Sequence, residues 1–130
     1  MGTSNIVDIL DNKEKLKDIK KIILQSNNNY YLLRKSIINF GFYITDETII
    51  YENKKYYLTI CFERGVKEYK EKDYYWGIIK PENLSYYEFL QTKYTSIYKK
   101  IPLSQMSAKM KMFFLLRELN KIIGYCKNFL

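Results

Sequence analysis

The sequence predicts an α/β fold, the latter part of an open nucleotide-binding sheet that ends in an antiparallel hairpin and is followed by a basic α-helical arm. Three observations predict it. A short apolar strand, KKIILQ at residues 20–25, stands between two helical patterns. Two β-rich runs then follow with only a few polar residues between them. Beyond Pro81 come two long helical patterns that carry most of the positive charge.

Taken in order, Ser4 caps a first helix over residues 4–17, with Ile6, Ile9, Leu10 and Leu16 at helical spacing. The strand at 20–25 has a continuous apolar centre, which is how a strand covered on both faces inside a parallel sheet reads. Asn28 or Asn29 caps a second helix over 30–40, with Tyr30, Leu33, Ile37 and Phe40 on one side and Gly41 as its stop. From Phe42 the period changes to two: FYITDETIIY and KYYLTICFER, joined at 52–54, read as a β-hairpin without the Asn-Gly pair that marks the tightest turns. The polar run GVKEYKEKD at 65–73 reads as a boundary loop, dividing the chain into 1–70 and 71–130. Helices are expected over 84–100 and 103–126, broken at Ile101-Pro102 because proline cannot continue a helix. So short a link makes them antiparallel, with Tyr87, Leu90, Tyr94, Ile97 and Ile101 facing Met112, Leu116, Leu119, Ile123 and Cys126.

Composition removes several function classes. With no histidine, a His-based triad, a His-ligated metal and an imidazole acid–base pair are excluded. Cys61 and Cys126 lie far apart without metal spacing and are expected as buried free thiols, so no metal is expected. A hydrophobic content of 47% argues against disorder, while no run approaches the roughly 18 apolar residues of a membrane span. The first residues lack the basic start and apolar centre of a secretory signal, which makes the cytoplasm the expected address. The 130 residues suffice for one ordinary domain and are short for a complete nucleotide-cofactor enzyme. Of the net charge of +8, the last forty residues hold +7: eight basic residues against the single acid Glu118. A basic terminal segment of this kind suits a polyanion such as RNA or DNA.

The run from Leu16 to Glu63 resembles the bacterial tRNA (adenine-22-N1)-methyltransferase family. Leu24-Gln25, Asn27, Leu33-Arg34 and Asn39-Phe40-Gly41-Phe42 take the places of that family's strand end, helix and turn, and Asp46-Glu47 and Lys55-Tyr56-Tyr57 those of its hairpin. Met1-Gly2-Thr3-Ser4-Asn5-Ile6 is similar to its glycine-rich turn after the fourth strand. Trp76-Gly77 and the paired helices resemble, more loosely, its C-terminal coiled-coil arm. Ser26 departs from the family's usual proline, and serine can hydrogen-bond its own turn.

The resemblance implies the C-terminal half of a Rossmann-like class I sheet that uses S-adenosyl-L-methionine, followed by an antiparallel coiled-coil arm. It implies methyl transfer to N1 of an adenine in tRNA. Gln25 and Asn27 are the expected catalytic-pocket residues, and Met1, Gly2 and Thr3 the expected cofactor-side residues. The RNA contacts expected are Arg34, Lys93, Lys99, Lys100, Lys109, Lys111, Arg117 and Lys121. It also implies that the cofactor is held chiefly by a first half this chain does not carry. Alone, the chain is then not expected to bind the cofactor or to be active, and a split gene would make that half its partner.

Plainer readings stand beside these. The asparagines at 27–29 serve equally as a helix cap and a polar turn, with Asn28 and Asn29 structural. Arg34 suits a solvated helix face, and Tyr56, Tyr57 and Trp76 suit half-buried packing as well as base stacking. The whole chain can also be read as a stand-alone tRNA-binding, RNA-binding or protein-interaction module without catalysis, or as a small inhibitor or immunity protein.

Overall fold

Strands β1 (Lys21–Ser26), β2 (Phe42–Glu52) and β3 (Lys55–Arg64) form one sheet in the order β1-β3-β2. In this computed structural model, which describes residues 2–10 and 16–129, the strand last in sequence lies in the middle. It runs antiparallel to both neighbours, so β1 and β2 point the same way. Among the described residues, the expected parallel-sheet interior for β1 is not seen, on two counts. Its neighbour is antiparallel, and its burial alternates, with Ile22 and Ser26 buried and Ile23 61% exposed. Among the described residues, helices cover only one face of the sheet.

That face carries the core. Helices α1 (Thr3–Leu10) and α2 (Tyr30–Asn39) lie on it, burying Ile6, Leu33 and Ile37 against Ile22, Phe42, Leu58, Ile60 and Phe62. Each fully buried aliphatic side chain of this kind contributes about 1.5–3 kcal/mol. Helix α1 begins at Thr3, ahead of the expected Ser4 cap, and the expected continuation through 11–15 lies outside the described residues. Arg64 ties the connection that follows: its Nε donates to the Ile19 carbonyl at 2.8 Å, its Nη2 to the Leu16 carbonyl, and its guanidinium lies 4.7 Å from the Phe42 ring centroid.

Local rules account for the joints. Asn29 caps α2 from the left-handed region (φ 44°), its Oδ1 accepting the Leu32 N–H at 3.3 Å. Asn53 and Lys54 both have positive φ, 52° and 63°, which is how a two-residue hairpin turn matches the twist of its strands. The run expected to be a loop instead leads into a short helix, α3 (Glu71–Trp76), where Asp73 Oδ2 accepts the Lys70 N–H at 2.8 Å. Helix α3 packs on α2, with Tyr75 4.3 Å from Tyr31, ring to ring. The first compact unit therefore runs Met1–Ile78, past the boundary at 70 that the polar run suggested.

The second unit, Ile79–Leu130, is a helical hairpin of α4 (Leu84–Lys100) and α5 (Met106–Lys127), each preceded by a 3₁₀ turn. Gln91 donates to Asn120 at 2.6 Å while Lys109 reaches the Tyr98 carbonyl at 3.0 Å, so the helices run in opposite directions. Tyr87, Leu90, Leu119, Ile123 and Cys126 of the expected seam are buried, joined by Ile122. Nearer the link the seam opens, and Ile97 is 37% exposed, because two helices alone cannot enclose both sides of a contact. Among the described residues no helix is long and apolar enough to cross a membrane, and no cluster of three His, Cys, Asp or Glu could hold a metal ion.

Candidate functional site

The start of α1 meets the carboxyl end of β1. The Thr3 N–H donates to Asn28 Oδ1 at 3.0 Å, and the Thr3 hydroxyl donates to the Asn28 carbonyl at 2.5 Å. That hydroxyl also lies 2.8 Å from Ser26 Oγ, with which it shares a hydrogen bond. Ser26 Oγ in turn accepts the Asn28 N–H at 3.3 Å, so it bonds its own turn as its departure from proline suggested. Thr3 and Ser26 are both fully buried, and each polar atom of the knot finds a partner, as buried polar groups must. Residues 23 and 25 positions apart are thus tied into one corner.

On that corner Gln25 and Asn27 are exposed. Strand alternation turns Gln25 away from the helix-covered face, onto the side where Ile23 also stands. Two neutral amides are left facing outward beside the knot. An amide offers a donor and an acceptor together, as the edge of an adenine does. Of the expected cofactor-side residues, Met1 lies outside the described residues, Gly2 is half-buried, and Thr3 is buried with its hydroxyl already engaged. The knot itself was not legible in the sequence, because no periodicity links Thr3 to Ser26 and Asn28.

Arg34 is not a surface contact, and both expectations for it are corrected. It is 2% exposed and forms a two-pronged ion pair with Glu47, Nη2 to Oε1 at 2.7 Å and Nε to Oε2 at 3.2 Å. Its Nη1 donates to the Tyr74 and Tyr75 carbonyls at 2.9 and 3.0 Å, and Glu47 Oε2 accepts the Ile78 N–H at 3.2 Å. One buried pair thus joins α2, β2 and the end of α3. Gly77, at φ 62°, closes over it, and a Cβ there would collide with the Glu47 carboxylate and Arg34 Nε. With four of its five N–H groups engaged and the side chain buried, this guanidinium is closed to a phosphate.

The remaining basic candidates lie on the hairpin. Lys93, Lys99, Lys100, Lys111, Arg117 and Lys121 are exposed. By the pairing of the helices, Lys99, Lys100 and Lys111 gather near the link, while Lys93, Arg117 and Lys121 sit further along. Lys109 differs: half-buried, it donates to the Tyr98 and Ile101 carbonyls at 3.0 Å each and lies 4.3 Å from the Tyr98 ring centroid. It caps the end of α4, where the carbonyls lack helical partners and a cation is favoured. The expectation of an RNA contact at Lys109 gives way to this structural one.

One family model and several solved structures match this chain. The family model for TrmK, tRNA (adenine(22)-N(1))-methyltransferase, matches residues 1–123. A Streptococcus agalactiae protein of the NADB-Rossmann superfamily superposes with a TM-score of 0.82 at 25% identity, covering 95% of this chain and 56% of that one. The Streptococcus pneumoniae protein Sp1610 gives 0.83 at 22% identity, covering 95% and 58%. TrmK of M. capricolum, solved with S-adenosyl-homocysteine, gives 0.73 at 23% identity, covering 97% and 56%. The fold is that of Rossmann-like proteins, and the chain spans little more than half the length of these structures. No curated protein sequence matches it. With nearly its whole length matched by the family model, the chain belongs to the tRNA (adenine(22)-N(1))-methyltransferase family.

Proposed function

We propose that this chain is the target-base side of a cytoplasmic enzyme that methylates N1 of an adenine in tRNA, using S-adenosyl-L-methionine. The observation that carries the proposal is the knotted corner with Gln25 and Asn27 exposed at the carboxyl end of β1. In open α/β sheets, ligands bind outside the carboxyl ends of the strands. N1 lies on the Watson–Crick edge, so the base has to be unpaired or extruded before it reaches such a corner. An amide at Gln25 or Asn27 can accept from the adenine 6-amino group and donate to N7, the pairing that leaves N1 free. The cofactor would supply a methyl group on a sulfonium: the sulfur–methyl bond breaks as the N1–methyl bond forms in line, neutral S-adenosyl-L-homocysteine leaves, and the positive charge passes to the base. The neutral amides add no repulsion to that charge, and their part is positioning. In this reading Gly2, half-buried, is the described cofactor-side residue left to meet the cofactor, since Thr3 is enclosed.

The cofactor's other contacts belong, in this reading, to a polypeptide equivalent to the part of the relatives that this chain does not span. Its docking place is the free edge of β1. Helix α1 starts at the carboxyl end of β1, and a strand feeding into α1 would therefore lie parallel to β1 in a strand–helix–strand unit. Ile23, 61% exposed in mid-strand, faces the side such a partner would cover. The two compact units then take two tasks: residues up to 78 complete the methyltransferase domain, and the hairpin from Ile79 onward, as a coiled-coil arm, holds tRNA by its exposed lysines.

The test mixes the chain with tRNA and radiolabelled S-adenosyl-L-methionine, with and without the part of Sp1610 that it does not span. Methyl transfer is expected in the mixture, falling by roughly tenfold to a hundredfold with Gln25→Ala or Asn27→Ala. Full activity of the Asn27→Ala, Gln25→Ala double variant would remove both amides from the pocket. Replacing Lys93, Lys99, Lys100 and Lys111 with Gln should lower the slope of log binding constant against log salt, by about 0.7–0.9 for each phosphate that is no longer neutralised. An unchanged slope counts against the arm.

A further inference from the structure

The outer face of α5 carries an apolar stripe that the proposed function does not use. Met106, Met110, Phe113 and Phe114 are between 43% and 50% exposed, and at helical spacing they continue into Arg117 and Lys121. An open groove on this face is lined by Phe113, Leu116, Arg117, Asn120 and Lys121. The Phe113 ring is held in place: Phe114 stands edge-on to it at 5.7 Å, and Tyr98 of α4 lies 6.5 Å away on the neighbouring helix. Large apolar side chains grouped on a surface mark a contact site, and charge selects its occupant. A second copy would bring another basic face against this one, in a segment with a single acid, Glu118. A nucleotide brings an aromatic face and a negative phosphate together. Phe113 and Arg117 are one helical turn apart, about 6 Å along the axis, so one ligand can reach both. Bases within a stem are stacked and closed off, whereas unpaired nucleotides expose their faces.

We propose that this groove binds an unpaired nucleotide of tRNA, with its base stacked on Phe113 and its phosphate held by Arg117 and Lys121. The proposal rests on the reading of the hairpin as the tRNA-holding arm. It adds a preference for single-stranded segments that lysines alone would not give, since phosphate contacts carry no such information.

The experiment measures binding of the full chain to a short single-stranded RNA and to a blunt RNA duplex of the same length. Phe113→Leu with Phe114→Leu keeps the apolar bulk and removes the ring faces. Single-strand affinity is expected to fall about fivefold or more, the least that one base–aromatic stack contributes, with duplex affinity and salt slope unchanged. Arg117→Gln should lower the salt slope for the single strand. Equal loss on both RNAs, or no loss on either, overturns the stacking site alone. Failure of the unaltered chain to bind either RNA overturns the arm reading and this site with it. A concentration-dependent dimer abolished by the double variant, with RNA affinity unchanged, would assign the face to a second copy instead.

Discussion

Arg34 joins three elements of the first unit, and almost none of this was legible in the sequence. The motif around Leu33-Arg34 marked the position without telling a surface arginine from an interior one. The deciding partner, Glu47, lies on a different element, and the accepting carbonyls belong to a short helix that the sequence did not predict. Removing one member of a buried pair leaves the other charged and unsolvated, so Arg34→Met should destabilise by about 3–5 kcal/mol in urea denaturation. The double variant Arg34→Met, Glu47→Leu should recover only part of that. The Tyr74 and Tyr75 carbonyls and the Ile78 N–H would still lack partners, which an ordinary apolar replacement of an ion pair does not leave behind. The thiols offer a second residue-scale check. Burial pushes the Cys126 thiol up, whereas Cys61 is half-buried on the sheet. Since the thiolate is the reactive form, a thiol reagent at mildly alkaline pH should label Cys61 first, and mass spectrometry of the singly labelled chain reads this directly.

Among the elements, the strongly periodic ones were legible and the short ones were not. Both long helices and the break at Ile101-Pro102 were written in apolar spacing and a proline, and the hairpin in period-two runs. Helix α3 has only six residues, too few for a period, and its charges made it read as a boundary. For β1 the legible part was different: an apolar run shows that a strand is to be covered, and sequence cannot say which face the described residues cover. Of the candidate site, the resemblance pointed to the amides Gln25 and Asn27, and the structure shows both exposed; the buried knot beside them was not legible because its members are distant in sequence. Lys109 shows how a charge count overstates binding capacity, because its ammonium closes the neighbouring helix. Lys109→Met keeps the stem and removes the donors, so the hairpin should lose about 1–2 kcal/mol by thermal melting, more than Lys111→Met, whose side chain is exposed.

At the scale of the whole molecule, two compact units divide the chain, and a one-sided sheet and a basic hairpin are the surfaces it offers. The strand order carries a consequence for how the first unit comes to be folded. The middle strand, β3, pairs locally with β2 across the Asn53–Lys54 turn, but Lys21 of β1 must find Glu63 across most of the unit. Local pairing costs little chain entropy and distant pairing costs more, so the hairpin is the natural nucleus and β1 the late arrival. Lys54→Gly relieves a left-handed lysine inside that nucleus, and stopped-flow refolding should accelerate while unfolding stays nearly constant. Until β1 arrives, the corner with Gln25 and Asn27 does not exist, so the part of the chain that would meet the target base is the last of the sheet to be assembled.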